Sequence, residues 1–504
     1  MNIDAIFESL NPQQLEVVYS SGRRLLCLAG AGTGKTHTLI TKILYQTEIL
    51  NIDPECILAL TFTHSASSEM LARFKQYSNL TSYPVFTTFH SFCYSLLCKD
   101  QDILHHLGYS TIPNVIDDIQ EKALCLEVKA ITGVKLPAKA FKLSYSPKES
   151  QKFEYELFHK VLKRVMLERN LITFERIISC ITKLFIDCNP LISKYLVKFT
   201  HIYVDEFQDT DLLQWKFVQA FMKYSSICVV GDIRQNIYSF RGCTNSVLKE
   251  IYDNDTWETH ILDKNYRSTI EICNYANDFL KCFKDNYASI ELKSERHGSE
   301  VIAMSLSEFF SSIDNLETTN SAILCRTNKE VQYLCNILDN HCVSYQTNQS
   351  LLEIALYKCA LDSNYCIDFF INQLPTEQQL NILSRKNFDK NFNILAYLKS
   401  VFTDQFKKIY DIQDTDEFYS MKQLYELGEL SLSEISYMSQ DTLLYVGTIH
   451  SVKGLEFSTV YVYGVNTPAF HVLSSEDNKN LFYVACTRAK DTLFIIGNSL
   501  EYLN

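Results

Sequence analysis

Glycine and proline are scarce in this chain, 14 and 9 of 504 residues, and no internal repeat, low-complexity tract or flexible linker interrupts it. No apolar run approaches the roughly 18 residues that a membrane span needs, and the N-terminal MNIDAIFESL is acidic and mixed rather than basic then apolar. A soluble, unexported protein is expected. No Cys-x-x-Cys pair occurs among the 17 cysteines, an odd number, so neither a zinc ribbon nor a dithiol redox motif is supported. Reduced, mostly buried thiols fit a cytoplasmic location. Positive charge is also in deficit: the net charge of -12 argues against coating nucleic acid by bulk electrostatics and leaves only a local groove open. What is present is a hydrophobic content of 46%, enough to bury cores in roughly two to four domains.

One stretch carries most of the chemistry. In RRLLCLAGAGTGKTHTLITKI, an apolar strand candidate (25–28) leads into a small-residue loop and then a helical pattern. The loop runs Ala29, Gly30, Ala31, Gly32, Thr33, Gly34, Lys35, Thr36, with Ala29 where the stricter phosphate-loop pattern has Gly. Gly30, Gly32 and Gly34 put no side chain between the backbone N–H groups and a phosphate, and the following helix N-terminus adds partial positive charge. Lys35 then reaches the β and γ phosphates, and Thr36 binds Mg²⁺.

YVDEFQDTD (203–211) ends an apolar run in four acidic residues. A solvated loop is the ordinary fate of such a cluster. Beside a phosphate loop the same residues complete a metal site: Asp205 holds Mg²⁺ directly or through water, and Glu206 orients and deprotonates the attacking water. Gln208 and Asp209 exceed what a minimal metal site requires and point to a part that senses the nucleotide.

Further stretches occur in a fixed order: LNPQQ (10–14), LALTFTHSASSEM (58–70), TTFHSF (87–92), VVGDIRQNIYSFRG (229–242), LDKNYRS (262–268), ILCRTN (323–328), GTIHSVKGLEF (447–457) and LFYVACTRAK (481–490). With the two stretches above, this series resembles the ordered motifs of the UvrD/Rep/PcrA group of superfamily 1 DNA helicases, over almost the whole chain. The resemblance implies that Arg267 and Arg488 contact the γ-phosphate from the second motor domain and that Gln235 senses it. It also implies that Gln14 reads the adenine, Tyr266 stacks on it and Glu456 contacts the ribose. Phe62, His64, Thr88 and His90, with Tyr238, Phe240 and Arg241, resemble single-strand DNA contacts of the first domain, and Thr448 and His450 those of the second. Aromatic faces stack on any base, so such a track grips without sequence choice.

The sequence departs from the family pattern in places. His37 stands where an Arg commonly meets the adenine, His64-Ser65 replaces Asn-Lys, ITFERII (172–178) keeps only Glu175 of its usual acids, and Asn480 replaces an Arg. No catalytic group is lost, but cations are removed from the DNA path.

Strand candidates at 25–28, 56–60, 202–204 and 227–230, and again at 301–306, 322–325, 458–464 and 492–497, alternate with helical stretches. The expected architecture is α/β: two RecA-like parallel-sheet motor domains of the P-loop NTPase class, the first over 1–95 and 171–262, the second over 263–370 and 441–504. Residues 96–170 are expected to form a helical insertion whose mixed cations and aromatics either flank DNA or form a solvated face. Residues 371–440 form a second, reduced one. That compact form resembles the helicase-like subunit of the Gabija anti-phage system, which implies a partner nuclease of the OLD family with a Toprim domain. Three functions stay open: an ATP-driven 3′ to 5′ motor on single-stranded or partly duplex DNA, a partner-dependent DNA-end or nucleotide sensor, and a stand-alone repair helicase. No carboxylate-Lys cluster outside these motifs supports an internal nuclease.

Overall fold

Apolar runs buried on both faces make the strands. The computed structural model describes residues 3–116, 118–142, 145, 147–238, 245–283, 289–347 and 444–497. The first part carries β1 Arg24–Ala29, β2 Ile57–Thr61, β3 Val85–Thr88, β4 Asn114–Ile116, β5 Leu171–Thr173, β6 His201–Val204, β7 Ser226–Gly231 and β8 Glu258–Leu262. Six of these form a sheet in the order β3-β2-β6-β7-β1-β8, parallel at every pairing, while β4 and β5 pair only with each other.

Successive strand residues point to opposite faces, so each run feeds two cores. Leu26, Leu28, Leu58, Leu60, Ile202 and Val204 enter one cluster. Leu25, Cys27, Ile57, Ala59, Tyr203 and Cys228 enter the other. Full burial of each Leu or Ile contributes about 1.5–3 kcal/mol, which fixes the register that presents all the strand C-termini at one edge. The described elements within 96–170 are β4 and mainly helices, among them Gln101–His106, Asp118–Thr132 and Lys152–Glu168. The last two share a separate cluster around Val128, Phe158 and Leu162.

The later strands are β9 Ile302–Met304, β10 Ser321–Cys325, β11 Tyr345–Thr347, β12 Leu444–Thr448, β13 Phe457–Val465 and β14 Ala489–Gly497, in a second sheet of order β11-β12-β10-β13-β14-β9. Ile323, Cys325, Val446, Tyr461 and Ile496 pack with Phe309 and Leu334 in its core. The α/β class with two RecA-like parallel sheets is thus the observed architecture.

By their contacts the residues form two compact units, the first up to Val301 together with Val472–Asp491, the second Ile302–His471 together with the stretch from Thr492. Residues 263–301 and 472–491, read in sequence with the second sheet, group with the first because Asn265 bonds to Ala31 and Arg488 to Gln235. Residues 371–440, the expected second insertion, lie outside the described residues. Among the described residues the cysteines are free thiols, with Cys98, Cys188 and Cys342 exposed and Cys27, Cys93 and Cys228 buried. No described helix is long and apolar enough to cross a membrane.

Candidate active site and nucleic-acid surface

The candidate residues of the first unit follow the C-terminal ends of its strands, where parallel α/β sheets place ligands. After β1, Ala29 to Gly34 turn tightly into the helix Lys35–Leu44, whose N-cap Gly34 makes no side-chain cap. Its first N–H groups therefore face the loop. Gly32 (φ 68°) and Gly34 (φ 82°) adopt left-handed backbone. A Cβ on Gly32 would lie 2.8 Å from Asn265 Nδ2, and one on Gly34 2.8 Å from Gln14 Nε2. The loop is bare because it is enclosed. Lys35 Nζ folds back onto the carbonyls of Ala29 (3.3 Å) and Gly30 (3.5 Å).

Thr36 Oγ1 donates to Asp205 Oδ2 at 2.9 Å. These are hard oxygen donors beside the glycine loop, a set that suits Mg²⁺. Burial, then the neighbouring Glu206, pushes the Asp205 carboxyl up to about 6. Such a carboxyl is primed for a cation. Glu206 itself has φ 49°, a left-handed conformation that is costly for a non-glycine residue and concentrates at functional sites.

From Glu206 a polar chain crosses the strand ends. The Gln208 amide donates to the Glu206 carboxylate, and Gln208 Oε1 accepts from Asp232 N–H (3.0 Å). Asp232 Oδ2 accepts from Gln235 Nε2 (2.7 Å), and Gln235 Oε1 accepts from Arg488 (3.4 Å). Arg267 Nη1 donates to the carbonyl of Thr487 (3.1 Å), the residue before Arg488. Lys35, Asp205, Gln235 and Arg488 are all buried.

Gln14, Tyr266, Asn11 and His37 gather beside the loop. Gln14 Nε2 donates to the Thr33 carbonyl (3.1 Å), and Tyr266 N–H donates to that of Gly32 (2.9 Å). The Tyr266 hydroxyl accepts from Asn11 (2.8 Å), yet the residue stays half-exposed, with the Lys264 ammonium 5.7 Å from its ring centroid. His37 Nε2 meets Ser9 Oγ at 3.1 Å, and burial, then Arg73, depresses its basicity. It is therefore neutral where the family pattern has a cation.

Phe62, after β2, stacks on Tyr238 with centroids 5.3 Å apart and planes within 20°. His64 Nε2 meets Ser91 Oγ at 3.0 Å, and Ser91 N–H donates to Thr88 Oγ1, the N-cap of the helix Phe89–Lys99. His90 meets the half-exposed ring of Phe174 edge-on at 5.5 Å. A cavity of about 220 Å³ opens among Thr61, Phe62, Phe89, His90, Asp211 and Gln214. Asn480 donates to the Asn236 carbonyl (2.9 Å), so it pins the loop leading to Tyr238. Phe240 and Arg241 lie outside the described residues. In the second unit, Thr448 ends β12, His450 sits in the turn Ile449–Val452, and exposed Glu456 precedes β13.

Sequence reasoning missed Asn265, Asp232 and Asn11 as organising residues. Asn265 donates to Ala31 O (2.7 Å) and accepts from Arg267 and Ser268 N–H, holding the loop against the segment after β8. Each lies inside or beside a motif already singled out, and that adjacency was the available signal.

A parallel sheet carrying a glycine loop at one strand end and an Asp-Glu pair at the next but one defines a P-loop NTPase. Residues 10–256 match the UvrD/REP helicase N-terminal domain, and residues 364–499 the UvrD-like helicase C-terminal domain. The chain is 26% identical to a probable DNA helicase II homolog of Mycoplasma capricolum, over 98% of this chain and 85% of that protein. It is equally similar to the ATP-dependent DNA helicase PcrA of Staphylococcus epidermidis, over 99% and 85%, and 25% identical to PcrA of Staphylococcus aureus, over 98% and 84%. The chain belongs to the UvrD-like helicase family and is an ATP hydrolase of the helicase type.

Proposed function

We propose that this chain hydrolyses ATP on single-stranded DNA and uses the turnover to move 3′ to 5′ along it. The observation that carries the reading is the unbroken polar chain from Glu206 through Gln208, Asp232 and Gln235 to Arg488. It connects the group that would take a proton from water to one that would neutralise charge developing on the transferred phosphoryl. The loop N–H groups and Lys35 bind the phosphates, and Gln14 and Tyr266 hold the base. Thr36 and Asp205 hold Mg²⁺, which when bound offsets phosphate charge. Gln235 shares its loop with Asn236 and Tyr238, so a shift at the γ-phosphate reaches the Phe62 stack within a few residues.

The finer reading places the protein in the cytoplasm as the helicase subunit of an anti-phage complex with an OLD-family nuclease, the domains dividing as the motif order implies. Support for it comes from the sequence, in which 371–440 reads as a reduced second insertion and His64-Ser65 and Asn480 stand where the family pattern has cations.

Steady-state hydrolysis by the purified chain, with and without single-stranded DNA, tests the proposal. Lys35→Ala is expected to lose nucleotide binding, and Glu206→Gln to keep it while losing turnover about 10²–10⁴-fold. Strong stimulation by DNA supports a self-sufficient motor. Turnover that DNA fails to raise overturns the motor reading and favours the partner-dependent sensor. Equal turnover in wild type and either variant removes the site assignment.

A further inference from the structure

Lys42 is a buried lysine to which the reading above gives no role. It is 4% exposed, and its Nζ donates to the carbonyls of Val17 (3.0 Å), Val18 (3.3 Å) and Ser20 (2.7 Å). An ammonium has three donors, and all of them are spent here. These carbonyls lie at the end of the helix Pro12–Tyr19, where the last C=O groups lack intrahelical partners and the helix dipole favours a cation. Glu258, the acid on the neighbouring strand β8, is bonded instead to Ser20 Oγ (2.9 Å) and His260 Nε2 (2.7 Å). A buried ammonium held by carbonyls costs more desolvation than an apolar side chain of the same length would. What the charge gives in return is a fixed helix end.

Both ends of this link bear on the nucleotide. Lys42 follows Lys35 by about two turns on the helix Lys35–Leu44, into which the phosphate loop runs. At the start of Pro12–Tyr19 stands a reciprocal cap: Asn11 Oδ1 accepts from Gln14 N–H (2.8 Å), and Gln14 Oε1 accepts from Asn11 N–H (3.0 Å). The same two side chains donate to the Tyr266 hydroxyl and the Thr33 carbonyl. One helix therefore begins with the phosphate-binding residues and, at its end, grips the helix that carries the base-side residues. Gln14 is about one turn from Val17 and Val18, so a shift of those carbonyls moves Gln14 against the loop.

We propose that Lys42 is a positioning residue for base recognition: its ammonium clamps the helix Pro12–Tyr19 to the phosphate-loop helix and so sets the place of Gln14 beside the loop. Without the ammonium, the buried carbonyls of Val17 and Val18 lose a donor, and the helix end relieves that cost by moving toward water. The phosphate loop is held independently, by β1 before it and by Asn265 at the Ala31 carbonyl (2.7 Å). The inference rests on the base reading of Gln14 and Tyr266 above and adds to it a residue that touches no nucleotide.

Steady-state hydrolysis over a range of ATP, with inorganic tripolyphosphate as competitor, tests it, because tripolyphosphate fills the phosphate loop and has no base. Lys42→Met is expected to raise KM for ATP about 5- to 10-fold, to change kcat less, and to leave the tripolyphosphate inhibition constant within about twofold. Gln14→Ala is the control for the base reading and is expected to move KM in the same direction. Thermal melting shows which variants fold. Should Lys42→Met not fold, Lys42→Gln keeps two N–H donors on a shorter stem and is expected to raise KM by about 2- to 4-fold, again with tripolyphosphate unaffected. Equal rises in KM and in the inhibition constant overturn the proposal, since a general structural role moves both. An unchanged KM in the folded Lys42 variant overturns it too, provided that Gln14→Ala raises KM. An unchanged KM in Gln14→Ala overturns the base reading itself, and the clamp with it.

Discussion

Gln235 and Arg488, 253 residues apart in sequence, meet in a buried contact of 3.4 Å. The guanidinium also donates to Val484 O (3.0 Å) and Thr487 Oγ1 (3.2 Å), so its orientation is set from three sides. A Lys cannot reproduce that fork, whatever its charge. Arg488→Lys is expected to lower kcat by about 10²–10³-fold with ATP binding largely kept. Single-turnover hydrolysis checks this, and a kcat within threefold of wild type would take Arg488 out of the chemical step.

The Asp205 carboxyl makes a prediction about stability and pH. Its native value near 6 lies above its ordinary 3.8, so between those pH values the folded chain holds a proton that the unfolded chain has released. The stability tied to this group is therefore whole below about pH 4, falls as pH rises through 6, and stays lost at pH 8. Asp205→Asn removes that penalty while keeping a group that can pair with Thr36. The variant is expected to melt a few degrees above wild type at pH 8, with the gap closing near pH 4, and to gain little from Mg²⁺-nucleotide. A variant that melts below wild type at pH 8 contradicts the burial argument.

Much of this was legible in the sequence, for identifiable reasons. β1, β2, β6 and β7 are buried on both faces and read as continuous apolar runs, and their C-terminal motifs use residue types with few alternative roles. Of the edge strands, β9 Ile302–Met304 falls within the expected 301–306, but the other three were not legible. β3 is VFTT, β8 is ETHIL and β11 is YQT, all short or partly exposed, and half-polar strands of that kind look like loops. Side-chain pairing was also hidden: nothing in the spacing shows that Asn265 bonds to Ala31 or that Asp232 joins Gln208 to Gln235. The allocation of 472–491 depends on which neighbours Arg488 meets, a tertiary fact that motif order does not contain.

Gly32 and Gly133 separate conformational strain from crowding. Both have φ near 68°, but a Cβ on Gly133 meets nothing within 4 Å, whereas one on Gly32 meets Asn265 and Arg267 at 2.8 Å. Gly133→Ala is expected to cost about 1–2 kcal/mol, the left-handed penalty alone. Gly32→Ala is expected to cost more and to abolish nucleotide binding by displacing Asn265 from the Ala31 carbonyl. Denaturant melts with nucleotide titration measure both, and matching costs with intact binding in Gly32→Ala would show that the loop tolerates a side chain.

Phe62 and Tyr238 supply the last test, because they come from different strand ends yet stack as one platform. If a base of the DNA packs on that pair, removing either ring removes most of the platform. Phe62→Ala is expected to weaken single-strand binding by about 1–3 kcal/mol while ATP affinity stays at the wild-type level. Tyr238→Ala is expected to do the same, and the double variant to lose little more than either alone, since residues in contact are not additive. Full additivity would mean that the rings act on separate bases. Unchanged DNA affinity in both single variants would leave the stack as packing between β2 and the loop after β7, with the DNA path elsewhere.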